Sequence, residues 1–126
     1  PAGLVLSGVD FSSSALTDSV FETADGLRTD LSSASFNSLP SAQYVGATSA
    51  NLAGATFVGT ALYYWDLQGT NLTGADFTDA DLTGAKLTNA DLTGVVWSNT
   101  RCPDPNNVMN SDDNGGNCDG HLDPGW

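Results

Sequence analysis

Asn110, Asp112 and Asn114, with Gly115 directly after, stand at the first, third, fifth and sixth places of the pattern D-x-[DN]-x-[DN]-G. Hard oxygen ligands at alternate positions of a tight turn are what calcium requires. The first place holds Asn rather than Asp, and the twelfth holds His121 rather than Glu, with Asp113, Asp119 and Asp123 close by. A solvated Asn/Asp/Gly turn produces the same letters, so Ca²⁺ in this loop is a candidate and no other cofactor is expected. Cys102, Cys118 and His121 supply three soft ligands where a structural zinc site takes four. Tyr44, Tyr63, Tyr64 and Trp65 form a second group, a candidate exposed patch of the kind that marks sugar or protein contacts. The alternative is that these rings pack over a distorted corner. Trp65 stands where a small residue belongs and would overpack a regular interior, so either the corner is remodelled or the indole points out. Catalysis has little to draw on. The chain holds one His and one Lys, His121 and Lys86, with no paired acid–base motif and no phosphate loop. No catalytic residue is assigned, and the chain reads as a non-enzyme.

The whole-chain totals narrow the partners. The 126 residues carry 15 acidic side chains against 3 basic ones, for a net charge of -12. Almost no cation is available to displace counterions, so nucleic acid is not an expected partner. A protein partner or a hard cation suits the charge better. Hydrophobic residues make up 40% of the chain and recur regularly, which argues against disorder. No apolar run is long enough for a membrane span. The sequence starts at Pro1 inside a repeat-like pattern, which reads as a processed or trimmed N-terminus.

What must position these residues is a repeat. Leu52, Phe57, Leu62, Leu67, Leu72, Phe77, Leu82, Leu87, Leu92 and Trp97 follow one another at a step of five. A small residue often precedes each by two, as at Ala50, Ala75 and Ala90, and Asn or Asp often precedes by one, as at Asn51, Asp76 and Asp91. Thr follows at Thr73, Thr78, Thr83 and Thr93, read as a β-forming surface residue. Period five fits neither helix nor strand. It requires a chain that turns a corner once per unit and buries its apolar residues by stacking. Leu6, Phe11, Leu16, Phe21, Leu31 and Phe36 keep the step in the first half, with Gly26 or Leu27 at the vacant place. From Phe36 to Leu52 one residue is extra, so a bulge or short loop is expected near 37–43, around Pro40. Phe36 then falls under Phe57, and Leu31 under Leu52.

Ala50-Asn51-Leu52-Ala53-Gly54, Ala75-Asp76-Phe77-Thr78-Asp79 and Ala90-Asp91-Leu92-Thr93-Gly94 resemble the A-[DN]-L-x-x unit of the pentapeptide-repeat family, most strongly over residues 50–99. The resemblance implies an all-β fold, a right-handed quadrilateral parallel β-helix with four units per coil, so that residues 20 apart share a column. Phe57, Phe77 and Trp97 then make an aromatic ladder. Residues 1–99 form the solenoid, and 100–126 form an irregular Asp/Asn/Gly-rich cap over an end that exposes apolar core. That tail is similar to those following the repeats of some exported bacterial members, where two cysteines look like a disulfide pair. The resemblance thus implies a Cys102–Cys118 disulfide, with free thiols or a metal site as the alternatives. Such a bridge places the chain in an extracellular, periplasmic or cell-surface setting.

The function expected is a non-catalytic exported structural or protein-interaction module, a rigid acidic rod offering flat faces to a protein partner. One alternative is the cytosolic DNA mimic that acts on gyrase in this family. Against it, five of the 15 acidic residues, Asp104, Asp112, Asp113, Asp119 and Asp123, lie in the tail, where charge makes no stripe along the rod. A calcium-stabilised binding domain is the other. Nothing in the sequence decides the oligomeric state.

Overall fold

The computed structural model describes residues 3–22, 27–104 and 118. The unit Ala50–Gly54 shows the local logic. Ala50 and Leu52 are buried, while Asn51 between them faces outward and carries the pairing to the neighbouring coils. The Leu52 carbonyl accepts the Ala55 amide at 3.0 Å, closing a four-residue turn whose third residue, Gly54, has φ 67°. A positive φ at that place alone defines a type II turn. The same left-handed place recurs every five residues and is also filled by Ser49, Asp79, Asn89 and Asn99, with φ between 50° and 59°. Small or polar residues suit it, because a Cβ there otherwise crowds the carbonyl.

Coils are joined by single-residue parallel bridges rather than by continuous strands. Asn51, Thr56, Ala61 and Asp66 bridge Asn71, Asp76, Asp81 and Lys86, giving four bridging positions per coil. At each, one amide points up and one down. Leu52 donates to the Asn71 carbonyl above at 2.8 Å, and Asn51 donates to the Thr29 carbonyl below at 2.9 Å.

This register builds four core columns. Leu6, Leu31, Leu52, Leu72 and Leu92 line the first side, and Phe11, Phe36, Phe57, Phe77 and Trp97 the second. Leu16, Ala42, Leu62, Leu82 and Cys102 line the third, and Phe21, Ala47, Leu67 and Leu87 the fourth. The second is a continuous stack of rings, with centroids 5.0, 5.0, 4.8 and 5.4 Å apart from Phe11 to Trp97. Such pairs contribute about 0.5–1.5 kcal/mol each beyond burial.

The register shifts twice. Asp30 bridges Asn51 and Ser35 bridges Thr56, one residue more than a regular coil, with the extra residue at Leu39–Pro40. Lower down, Val5 bridges Asp30 and Asp10 bridges Ser35, 25 positions on. The first coil therefore holds one whole unit more than the 20-residue column expected for it. The regular register also runs past residue 99, since Asp81 bridges Arg101 and Leu82 donates to the Arg101 carbonyl at 2.9 Å. Among the described residues, no helix is long and apolar enough to cross a membrane.

Candidate functional site

Tyr44 and Tyr64 occupy left-handed corners between the third and fourth sides, at φ 57° and 60°. A bulky residue is seldom found there. Their rings stack at 5.1 Å and 8°, and they remain 55% and 41% exposed. The Tyr64 ring leans over the next corner of the column. A Cβ placed on Gly84 would stand 2.5 Å from it, so only glycine accommodates the ring. Tyr63 lies beside them, half-buried. The Asp81 carboxylate pushes its phenol pKa up, first through its charge and then, after burial, through a hydrogen bond. Asp81 also faces Arg101 at 4.0 Å.

Trp65 does not belong to this exposed group. It is 0% exposed, so of the two expectations the outward-pointing indole fails and the remodelled corner holds. The reason lies one coil below. There the third and fourth columns hold Ala42 and Ala47, where the next two coils hold Leu62, Leu67, Leu82 and Leu87. The indole fills the space these alanines leave and meets Phe36 and Phe57 edge-on, both at 5.8 Å. Phe21 reaches the same level from below, edge-on to Phe36 at 6.1 Å. The indole N–H donates to the Ala42 carbonyl. In regular units, such as those of Ala47, Leu62 and Leu82, the corresponding carbonyl takes the amide three residues on. At the other irregular corner of that coil, the Thr60 hydroxyl donates to the Phe36 carbonyl. Two side chains of the third coil thus close two turns of the second.

The carboxylates of the rod mostly hold turns. The Oδ1 atoms of Asp76, Asp81 and Asp91 accept both the amide and the hydroxyl of the Thr two residues on, at 2.5–3.0 Å. Asp10 does the same with Ser12, and the amides Asn51 and Asn71 repeat the backbone part of the contact. This Asx clip explains the Asp-x-Thr spacing, which the reading of Thr as a plain surface residue missed. The hydroxyl and then the amide of the residue two on hold the carboxyls of Asp10, Asp30 and Asp91 below their ordinary range.

A depressed folded-state pKa means that the unfolded chain takes up protons first as pH falls. The contribution of these carboxylates is full above about pH 3.9 and is lost as pH drops through their lower folded-state values. Asn51 and Asn71 show that an amide keeps the clip. Substituting Asp10→Asn, Asp30→Asn and Asp91→Asn together should therefore flatten the acid branch of Tm against pH, followed by circular dichroism from about pH 5 to pH 2. Parallel curves for the two proteins would remove the clips from the account of acid stability.

At the far end, Cys102 and Cys118 are joined, with S–S 2.10 Å, and both are 1% exposed. Cys102 doubles as the last residue of the third core column, on Leu82. The calcium candidates Asn110, Asp112 and Asn114, and His121, lie outside the described residues. Among the described residues no three His, Cys, Asp or Glu side chains are grouped to hold a metal ion.

Four bridges per coil around columns of Leu and Phe define a parallel β-solenoid. The family model for pentapeptide repeats matches residues 5–38 and 66–96 in eight copies, more than half of the 126 residues. The chain belongs to the pentapeptide-repeat family. Among solved structures, a pentapeptide repeat protein, Rfr23, from the cyanobacterium Cyanothece 51142 shares 21% identity over 72% of this chain and 85% of its own, with a TM-score of 0.53. A pentapeptide repeat protein of the Arabidopsis thaliana thylakoid lumen shares 36% identity over 75% of this chain and 55% of its own, with a TM-score of 0.41. QnrB1, a plasmid-mediated fluoroquinolone resistance protein, shares 18% over 78% of this chain and 70% of its own, with a TM-score of 0.45. A search of curated proteins found no match.

Proposed function

We propose that the chain is a right-handed quadrilateral β-helix serving as an exported, non-catalytic interaction module, which docks a protein partner along its Tyr44–Tyr64 edge. The stacked pair carries the reading. Corners elsewhere hold Gly, Ser, Asp or Asn, yet here two large rings are kept in a conformation that opposes them and are left exposed. Strain retained at an exposed position is a signature of function rather than of packing. The clips support a structural role for the acidic residues, because each clipping carboxylate is engaged with its own turn. The Cys102–Cys118 bridge supports an oxidising compartment. The gyrase reading wants a continuous negative stripe, and the column Asp30, Asn51, Asn71, Asp91 interposes two neutral amides.

Tyr64→Asn tests the edge. Asn fills the equivalent corner at Asn89 and Asn99, so the variant should melt at or slightly above the wild-type temperature. A photo-crosslinking residue at position 64 should give a discrete protein adduct on the producing cells, absent when the same group stands at position 89. Equal labelling from both positions would leave the edge without a special role. Export is tested separately, by the mass of native protein alkylated without reduction. Two alkyl groups added would place it in a reducing compartment.

A further inference from the structure

We infer that a second site, a polar cavity on the edge between the fourth and first sides, binds a carboxylated sugar. The cavity has a volume of about 280 Å³ and is lined by Arg28, Gly69, Thr70, Asn71, Asn89 and Asp91. It exists because of a gap in the corner column. Arg28, Ser49, Gly69 and Asn89 follow one another up that edge, and Gly69 leaves only the small Ser49 side chain between Arg28 and Asn89.

The register of Asp30 with Asn51 sets Arg28 beneath Ser49 on this edge, and the extra unit of the first coil sets it over Gly3. Its backbone is seated against Gly3, where a Cβ would stand 2.0 Å from the Arg28 carbonyl oxygen, so the position depends on glycine at residue 3. Among the described residues the ion pair is Arg101 with Asp81, and Arg28 pairs with no carboxylate. A guanidinium in the lining of a cavity suits a carboxylate or another flat anion, which it can grip with two parallel hydrogen bonds.

The remaining lining sets the rest of the ligand. The Asp91 carboxylate accepts the Thr93 hydroxyl and amide on Oδ1 and a weaker contact from the Thr73 hydroxyl, and its remaining lone pairs can accept from a ligand. Asn71 Oδ1 is taken by Thr73, and its Nδ2 gives one hydrogen to Asn51, which leaves one N–H to donate. The Asn89 amide offers both a donor and an acceptor. Beyond the anion-binding arginine, then, the cavity presents acceptors and donors side by side. A hydroxyl group does both at once. An ammonium group would satisfy Asp91 but oppose the amide N–H groups. A compact ring bearing one carboxylate and several hydroxyls meets every one of these groups, and a monosaccharide acid is of the size the volume admits.

The test is a titration of the ¹⁵N-labelled protein with D-glucuronate, followed by amide shifts at Gly69, Thr70, Asn71 and Asn89. Saturable shifts confined to this edge are expected, with an affinity of roughly millimolar for so small a ligand. Arg28→Gln should weaken binding at least about tenfold. Gly69→Asn should abolish it by filling the gap, while keeping a corner that Asn89 and Asn99 already show to be compatible with asparagine. Both variants should melt with the wild type, since Arg28 is exposed and the corner geometry is retained. Absence of saturable shifts up to about 100 mM, equal binding of neutral glucose, or unchanged binding by Arg28→Gln would each overturn the proposal. So would preferential binding of diglycine, which carries the ammonium group the lining disfavours.

Discussion

Trp65→Ala should destabilise the protein by about 3–5 kcal/mol, the range for deleting a large buried aromatic side chain. Two losses combine. The indole leaves a void at a level already thinned by Ala42 and Ala47, and the Ala42 carbonyl loses its donor. A solenoid cannot collapse into such a void without breaking the bridges on either side, so little relaxation is expected. Thermal denaturation measures the loss. The partner variant is Trp65→Ala with Ala42→Leu, which returns volume to the same place. It should recover part of the loss, because contacting sites are not additive. An alanine variant that melts with the wild type would show that the indole is not part of the core.

Reduction of the Cys102–Cys118 bridge is the second large effect. Opening a closure of 16 positions should cost roughly 3 kcal/mol in the chain-entropy account. The loss should not be spread evenly. Each coil touches only its neighbours, so the last coil frays first. Hydrogen exchange in the reduced protein should show protection lost at the amides of Val96 and Arg101, which donate to Ala75 and Ala80, before those of Asn51 and Thr56. Uniform loss through the stack would mean that the bridge acts on the whole fold rather than on its end.

Much of the architecture is legible in the sequence, because ten apolar residues in a row at a step of five admit few backbones. The aromatic column, the single-residue slip before Ser41 and the position of Tyr44 beneath Tyr64 all follow from counting. The extra unit in the first coil does not. Steps of 20 and of 25 are both multiples of five, so period alone cannot separate them. What decides is like-on-like packing. The longer step sets Phe11 on Phe36 and Leu6 under Leu31, whereas the shorter one would put Phe11 under Leu31 and end the ring stack. Which way the Trp65 indole points does not follow from its slot along the chain, since other slots of that kind hold small residues. The relevant signal was vertical, the pair Ala42 and Ala47 in places where other coils carry Leu. The Arg28 cavity joins coils whose register follows from counting, but how the Arg28 side chain lies along the edge is not a property of the repeat.

The bridges between coils all run along the rod, and this gives the protein a direction of weakness. A load pulling its two ends apart falls on one coil at a time, as on the first tooth of a zip, because each coil is tied only to the next. A load across the rod is shared by every rung it crosses. The bond between Cys102 and Cys118 sits where peeling from the C-terminal end would have to begin. It keeps the chain between the two cysteines out of the load path, so tension arriving from beyond Cys118 passes through the sulfurs straight to Cys102 and falls on the rungs of the last coil.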